Sequence, residues 1–153
     1  MPCECLEPRM LLSAAFRPPA VPLVTSDPYL SVWSEADRLT DNKTRHWTGT
    51  EQSLVSLIRI DGKAFRLMGD DPANNPAMPQ VSLQALSTRS IYDFDNTHVH
   101  VTLTFMTPVL PDDLDVLTRP LTYLTWQVRS VDGAAHAVSI YASTDARAAG
   151  RLV

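Results

Sequence analysis

The sequence predicts an all-β protein built as an antiparallel β-sandwich. Three observations carry this. Apolar and polar residues alternate through several short stretches, the two-residue period of a strand with one buried face. Turn-forming dipeptides and prolines separate those stretches at short intervals. From residue 30 onward the pattern is β, with hairpin links and one longer connection, as a two-layer antiparallel fold requires. The 153 residues are 44% hydrophobic and 20% charged, ordinary values for one domain around one core.

Residues 1–15 read as a loosely attached N-terminal tail, and residues 16–153 as the N-terminal part of a β-sandwich domain. RPPAVP (17–22) is a proline-stiffened, extended entry, because proline removes a backbone donor and biases its predecessor away from helix. In YLSVW (29–33) alternation puts Leu30 and Val32 on an inward face and Tyr29, Ser31 and Trp33 on the other. SLVSLIRI (53–60) is apolar on both faces, as a central strand would be. Asp61-Gly62 follows, then KAFRLM. A two-residue Asp-Gly link favours a type I′ turn, so a hairpin is expected.

DDPANNPAMP (70–79) is a loop. VSLQALSTRSIYDFDN (81–96) is one long bent strand or two short ones. Through the short link DNT it meets HVHVTLTFMT (98–107), where Val99, Val101, Leu103 and Phe105 share one face. His98, His100, Thr102 and Thr104 share the other. These neighbours form a second expected hairpin.

PVLPDDLDVLTRP (108–120) holds three prolines and is long enough to cross between sheets. LTYLTWQVRS (121–130) buries Leu124, Trp126 and Val128, and HAVSIYAS (136–143) buries Val138, Ile140 and Ala142. With VDGAAH between them, they read as a third hairpin. DARAAGRLV at the end is too short to count as a helix. With no closing element after the last strand, the sandwich is expected to be incomplete, because proteins normally cover or charge an exposed edge.

Charge excludes some functions. The formal net charge is −4, with Lys and Arg scattered singly. A nucleic-acid partner needs a basic footprint, and an anionic membrane surface needs a basic cluster. No segment approaches the roughly 20 apolar residues of a membrane span. MLLSAAF (10–16) resembles the end of a secretion signal, but Glu4 and Glu7 precede it and its apolar run is short. Cys3 and Cys5 sit at the extreme N-terminus. They offer no disulfide framework and cannot alone supply four zinc ligands.

No catalytic set is legible. There is no Gly-x-Ser-x-Gly elbow, and no Ser/His/Asp grouping follows from strand geometry. His98 and His100 lie two apart on one strand, a spacing that suits two metal ligands. Nothing at matching spacing completes the set, so they read as solvent-facing and no metal or other cofactor is expected. Asp112, Asp113 and Asp115 read as a solvated loop rather than a calcium site, which needs more regularly spaced oxygens and a turn glycine. Trp126 reads as core.

Tyr29, Trp33, His46 and Trp47 are the candidate substrate-binding or domain-docking residues. Exposed aromatic groups rimmed by polar residues mark such surfaces. The competing reading is a minor core beneath a long loop.

Six ordered segments resemble the N-terminal part of the glutaminase A family. They are FRPPAVPLVTSDPYLSVWS, HWTG, LIRIDGKAFRLMG, PQVSLQALSTRSIYDF, LTFMTPVLPDDLDVLTRPLTYLTWQVRS and HAVSIY. The resemblance implies an incomplete supersandwich-type β domain followed by a helical toroid of the six-hairpin glycosidase type. It implies hydrolysis of glutamine to glutamate and ammonia in the parent protein, with the present chain supporting or edging a site in the helical domain. That domain would be its partner and its only route to a small-molecule substrate. The resemblance also implies a secreted or extracytoplasmic protein, although MPCECLEPRM does not look like a leader. No catalytic motif of the family maps onto these residues. The alternative is a stand-alone carbohydrate- or peptide-binding β-sandwich module.

Overall fold

A computed structural model describes residues 17–145. They form ten strands and one short helix, and every strand pairing is antiparallel. The all-β, sandwich-like class expected from the alternation is the one observed.

The first sheet holds β1 (Val21–Thr25), β2 (Ser31–Ser34) and β3 (Arg45–His46) in that order. The second sheet contains β4 (Leu54–Ile60) and β5 (Lys63–Met68), with β10 (Val138–Thr144) on the other edge of β4. The third runs in sequence order through β6 (Gln80–Ala85), β7 (Arg89–Asp95), β8 (Val99–Met106) and β9 (Tyr123–Ser130).

The core lies between the inner faces of these sheets. Leu54, Ser56, Ile58 and Ile60 of β4 point inward, as do Val99, Val101, Leu103 and Phe105 of β8. From β7 come Tyr92 and Phe94, and Tyr92 meets Phe105 edge-on at 6.1 Å, the geometry aromatic pairs favour. Trp126 crosses the layers: its indole N–H donates to Ser56 Oγ at 3.1 Å, which gives a polar partner to two groups inside an apolar region. The first sheet adds Val21, Leu23 and Val32 to the same core. Ser90 Oγ on β7 donates to the Pro22 carbonyl at 2.7 Å, fastening β1 in place.

β4 is central, as its two apolar faces suggested. The β4–β5 hairpin turns at Asp61 and Gly62, both with positive φ (48° and 86°), the requirement that favours Asp-Gly there. Residues 81–96 resolve into two strands, β6 and β7, closed by a Leu86 N–H to Arg89 carbonyl bond of 2.8 Å. The β7–β8 hairpin is present, with Asn96 Oδ1 accepting from the backbone N–H groups of His98 and Val99.

Two connections differ from the sequence reading. β9 pairs with β8 over their whole length, from Val99↔Ser130 to Met106↔Tyr123. The proline-rich link 108–120 therefore returns to the same sheet instead of crossing. The crossing occurs in 131–137, so β9 and β10 are not a hairpin: β10 pairs with β4 from Val138↔Ile60 to Thr144↔Leu54. The physical reason is edge satisfaction. β4 is apolar on both faces, and pairing only with β5 would leave a hydrophobic strand with an open ladder. A turn sequence says that the chain reverses, but not which strand it then meets.

The acidic run in that link is exposed, as a solvated segment would be, and it also has a local role. It starts helix α1 (Leu114–Leu117), where Asp113 is the N-cap and accepts from the Val116 N–H at 3.1 Å. Asp115 lies in the first turn, where negative charge suits the helix dipole. The possible helix in DARAAGRLV falls on residues that, apart from Asp145, lie outside the described chain, as does the tail 1–15.

Loop support comes from Arg66 on β5. Its guanidinium donates to the carbonyls of Thr40, Gly69 and Asn75 at 2.9 Å each, so two loops are held by one rigid fork. Gly69 is the tight point: φ is +84°, and an added Cβ would meet the Leu54 carbonyl oxygen at 3.0 Å. Gly62 has a similar φ but open space around it. Gly62→Ala should therefore cost only the left-handed strain of about 1–2 kcal/mol, and Gly69→Ala clearly more. Chemical denaturation of the two variants checks this; equal losses would contradict the close approach at Gly69.

Candidate functional site

Three features stand out: an aromatic edge, a His–Asp cluster and an apolar seam. The aromatic edge starts with β2 and β3, where Val32 pairs with His46 and Trp33 with Arg45. Gly49, at φ +86°, closes the turn after β3, and its N–H donates to the His46 carbonyl at 2.8 Å. His46 Nε2–H and Trp47 Nε1–H both donate to the Pro28 carbonyl, at 2.9 and 2.8 Å. The two rings lie 5.6 Å apart and tilted. This leaves Trp47 62% exposed and Tyr29, next to Pro28, 82% exposed.

His46 and Trp47 are thus brought together, and Tyr29 adjoins the Pro28 carbonyl that both of them bind. Trp33 is half-buried opposite Arg45, and its indole N–H donates to Ser31 Oγ at 2.8 Å. Strand alternation puts it on the other face of β2 from Val32, the residue that pairs with His46.

The His–Asp cluster lies where three turns converge. Asp61 comes from the β4–β5 turn, His98 from the β7–β8 turn, and Asp132 and His136 from the link between β9 and β10. His136 Nδ1 bonds Asp61 Oδ2 at 2.6 Å, and its Nε2 bonds Asp132 at 3.0 Å. His98 Nδ1 reaches Asp132 Oδ2 at 2.9 Å, and the two imidazoles stand 5.3 Å apart. The backbone holds the carboxylates. Ala137 N–H donates to Asp61 Oδ1 at 2.9 Å, while Ala134 N–H and Ser130 Oγ donate to Asp132 Oδ1.

Hydrogen bonds to Asp132 and then Asp61 raise the His136 pKa. Those from His136 and His98 hold the Asp132 carboxyl far below its usual range. His136 and then the Ala137 N–H lower Asp61. A carboxylate on each ring nitrogen favours the imidazolium form of His136.

His98 and His100 do not act as a pair. His100 turns to Asp95 at 2.7 Å and to Thr102 at 3.2 Å. The partners of His98 come instead from the β9–β10 link, which strand spacing alone does not bring near. A cavity of about 540 Å³ borders the cluster and counts Asp61 and His98 in its wall.

The seam is an apolar cleft of about 340 Å³ walled by Val24, Leu30, Val32, Leu54, Met68 and Leu124 among others. It opens beside β9 and β10, whose inner faces are incompletely covered. Leu124, Trp126 and Val128 are half-buried, and Val138 and Ile140 remain 38% exposed. Among the described residues no helix is long and apolar enough to cross a membrane.

Comparison with known proteins matches two stretches. Residues 9–78 match the family described as Domain of unknown function (DUF4964), and residues 88–151 match Domain of unknown function (DUF5127). The chain is 33% identical over 138 residues to Glutaminase A of Aspergillus oryzae (strain ATCC 42149 / RIB 40). That alignment covers 85% of this chain but 20% of the fungal protein, so the chain spans about a fifth of the length of the curated relative it matches. The homology is to one portion of a larger protein. No solved structure matches.

The cluster gives stability a pH signature. The raised His136 pKa contributes stability that is fully present below its unfolded value near 6.5 and lost as pH rises through the folded value. The lowered Asp61 and Asp132 contribute above their unfolded value near 3.8 and fade as pH falls below it. The melting temperature should therefore fall as pH rises above about 6.5, and His136→Gln should flatten that decline. Thermal melts of both proteins across this range check it; parallel profiles would contradict the His136 assignment.

Proposed function

We propose that the chain is the N-terminal, non-catalytic β-sandwich portion of a glutaminase-like amidohydrolase. It supports or edges an active site carried elsewhere in the parent protein, in a helical-toroid domain. The observation that carries this reading is the apolar seam beside β9 and β10, in a chain homologous to about a fifth of a protein named for glutaminase activity. A soluble domain seldom leaves an apolar strand face uncovered unless another surface is meant to meet it. Amide hydrolysis needs a nucleophile or activated water, a proton shuttle and an oxyanion site converging on one carbonyl. The seam is mostly apolar; its two hydroxyls, on Ser143 and Thr144, have no histidine or carboxylate beside them in the wall to act as a proton shuttle. The role that fits is structural: to position and brace the neighbouring globule.

A second reading rests on Tyr29 and Trp47. Both rings are exposed, and that of Trp47 is held by the Pro28 carbonyl next to Tyr29; they suit stacking against sugar or peptide, as in a stand-alone binding module. The same surface serves domain docking equally well in the first reading.

Ammonia release from glutamine separates the support role from catalysis. The purified chain should give no release above the blank, and sustained turnover by it would overturn the reading. Titration with a panel of oligosaccharides and peptides, followed by tryptophan fluorescence, examines the alternative. A saturable shift that Trp47→Ala abolishes would favour the binding module.

A further inference from the structure

We propose that His98, Asp132 and His136 bind one divalent transition-metal ion, with zinc as the probe, at the end of the sandwich where the second and third sheets meet. Each residue can present one donor atom, and those atoms lie within 4.8 Å of one another. Two imidazole nitrogens and a carboxylate oxygen form a donor set that zinc and its neighbours in the first transition row accept. The spacing is nearly right as it stands. Asp132 Oδ2 lies 2.9 Å from His98 Nδ1 and 3.1 Å from His136 Nε2. Ligand bonds of 2.0–2.1 Å in a tetrahedron put donors about 3.3 Å apart, so a small adjustment of the three side chains admits an ion.

Asp61 supplies what an isolated His–Asp–His grouping lacks. It accepts from His136 Nδ1–H, which leaves Nε2 as the nitrogen facing Asp132. A ligating histidine commonly donates its far N–H to a carboxylate in this way, which fixes the ring and raises its basicity. Asp61 is itself pinned by the Ala137 N–H. Asp132 Oδ1 is engaged by Ala134 N–H and Ser130 Oγ, so the carboxylate is oriented and Oδ2 remains for the ion.

The bordering cavity of about 540 Å³, which shares the His98 wall, leaves room for a water or small anion as a further ligand. The ion would link the β7–β8 turn of the third sheet to the chain entering β10 of the second. It would thus fasten the sheets at the end where β9 and β10 separate.

The test uses the full chain with Cys3→Ser and Cys5→Ser, which removes the tail thiols as competing ligands. After chelator treatment it is titrated with Zn²⁺ by calorimetry and with Co²⁺ by visible absorption. The expected result is one ion per chain, a higher melting temperature at saturating zinc, and loss of binding in His98→Ala/His136→Ala. Asp61→Asn, which tolerates the left-handed turn, should weaken affinity roughly 10–100-fold, whereas His46→Ala should leave it unchanged. Circular dichroism reports whether the variants remain folded. Imidazole ¹H–¹⁵N spectra of the unsubstituted histidines provide a readout free of folding effects: His98 and His136 should shift on zinc addition while His46 and His100 stay. No saturable binding below millimolar zinc, or shifts confined to His46 or His100, would overturn the proposal.

Discussion

The structure depends on burial of two apolar strand faces against each other, β4 on one side and β7–β8 on the other. Ile58, Phe94, Val101 and Leu103 are completely excluded from solvent. Each such side chain contributes about 1.5–3 kcal/mol relative to exposure. Other features serve this contact. The Trp126–Ser56 bond satisfies polar groups at its margin. Arg66 holds the loops that cover one side, and the first sheet closes another.

Burial stops short at β9 and β10. Both are edge strands of their sheets; Leu124, Trp126 and Val128 of β9 pack against the core but stay only half-buried, and Val138 and Ile140 of β10 remain 38% exposed. The stabilisation not gained there is several kcal/mol on the same scale, comparable with much of a typical net stability of about 5–15 kcal/mol. A surface of this kind suits a partner that completes the layer. That joins the physical reading to the homology, since the chain matches only a small share of a longer relative. Under the proposed function, the sandwich gives rigidity and the chemistry resides elsewhere in the parent protein. The aromatic edge and the His–Asp cluster are separate devices built from turns around the same core.

What could be read from the sequence was local. The Asp61-Gly62 turn announces itself because few residue pairs tolerate two positive φ values. The β8 alternation is equally plain, since Val99 to Phe105 keep one face apolar without a break. Partner choice was not legible. The prolines in 108–120 look like a passage between layers, yet the link closes back onto β8; the VDGAAH turn looks like a hairpin, yet it changes sheets. Both outcomes follow from which edges remain unpaired once β4 and β8 are in place, a non-local property. The His–Asp cluster was hidden for the same reason. Asp61, Asp132 and His136 each look like ordinary turn residues, and only the sheet change at 131–137 brings Asp132 and His136 to His98. The aromatic residues could be singled out by type, but the separation of Trp33 from His46 needed the β2–β3 register.

Amide hydrogen exchange of the isolated chain, resolved strand by strand, tests most directly whether β9 and β10 border an uncovered seam. Amides of β4, β7 and β8 should be the slowest, opening only with global unfolding, while those of β10 and the outer half of β9 exchange by local opening orders of magnitude faster. Protection of β10 equal to that of β8 would mean that the layer is already closed, and would contradict a sandwich built to be completed by another surface.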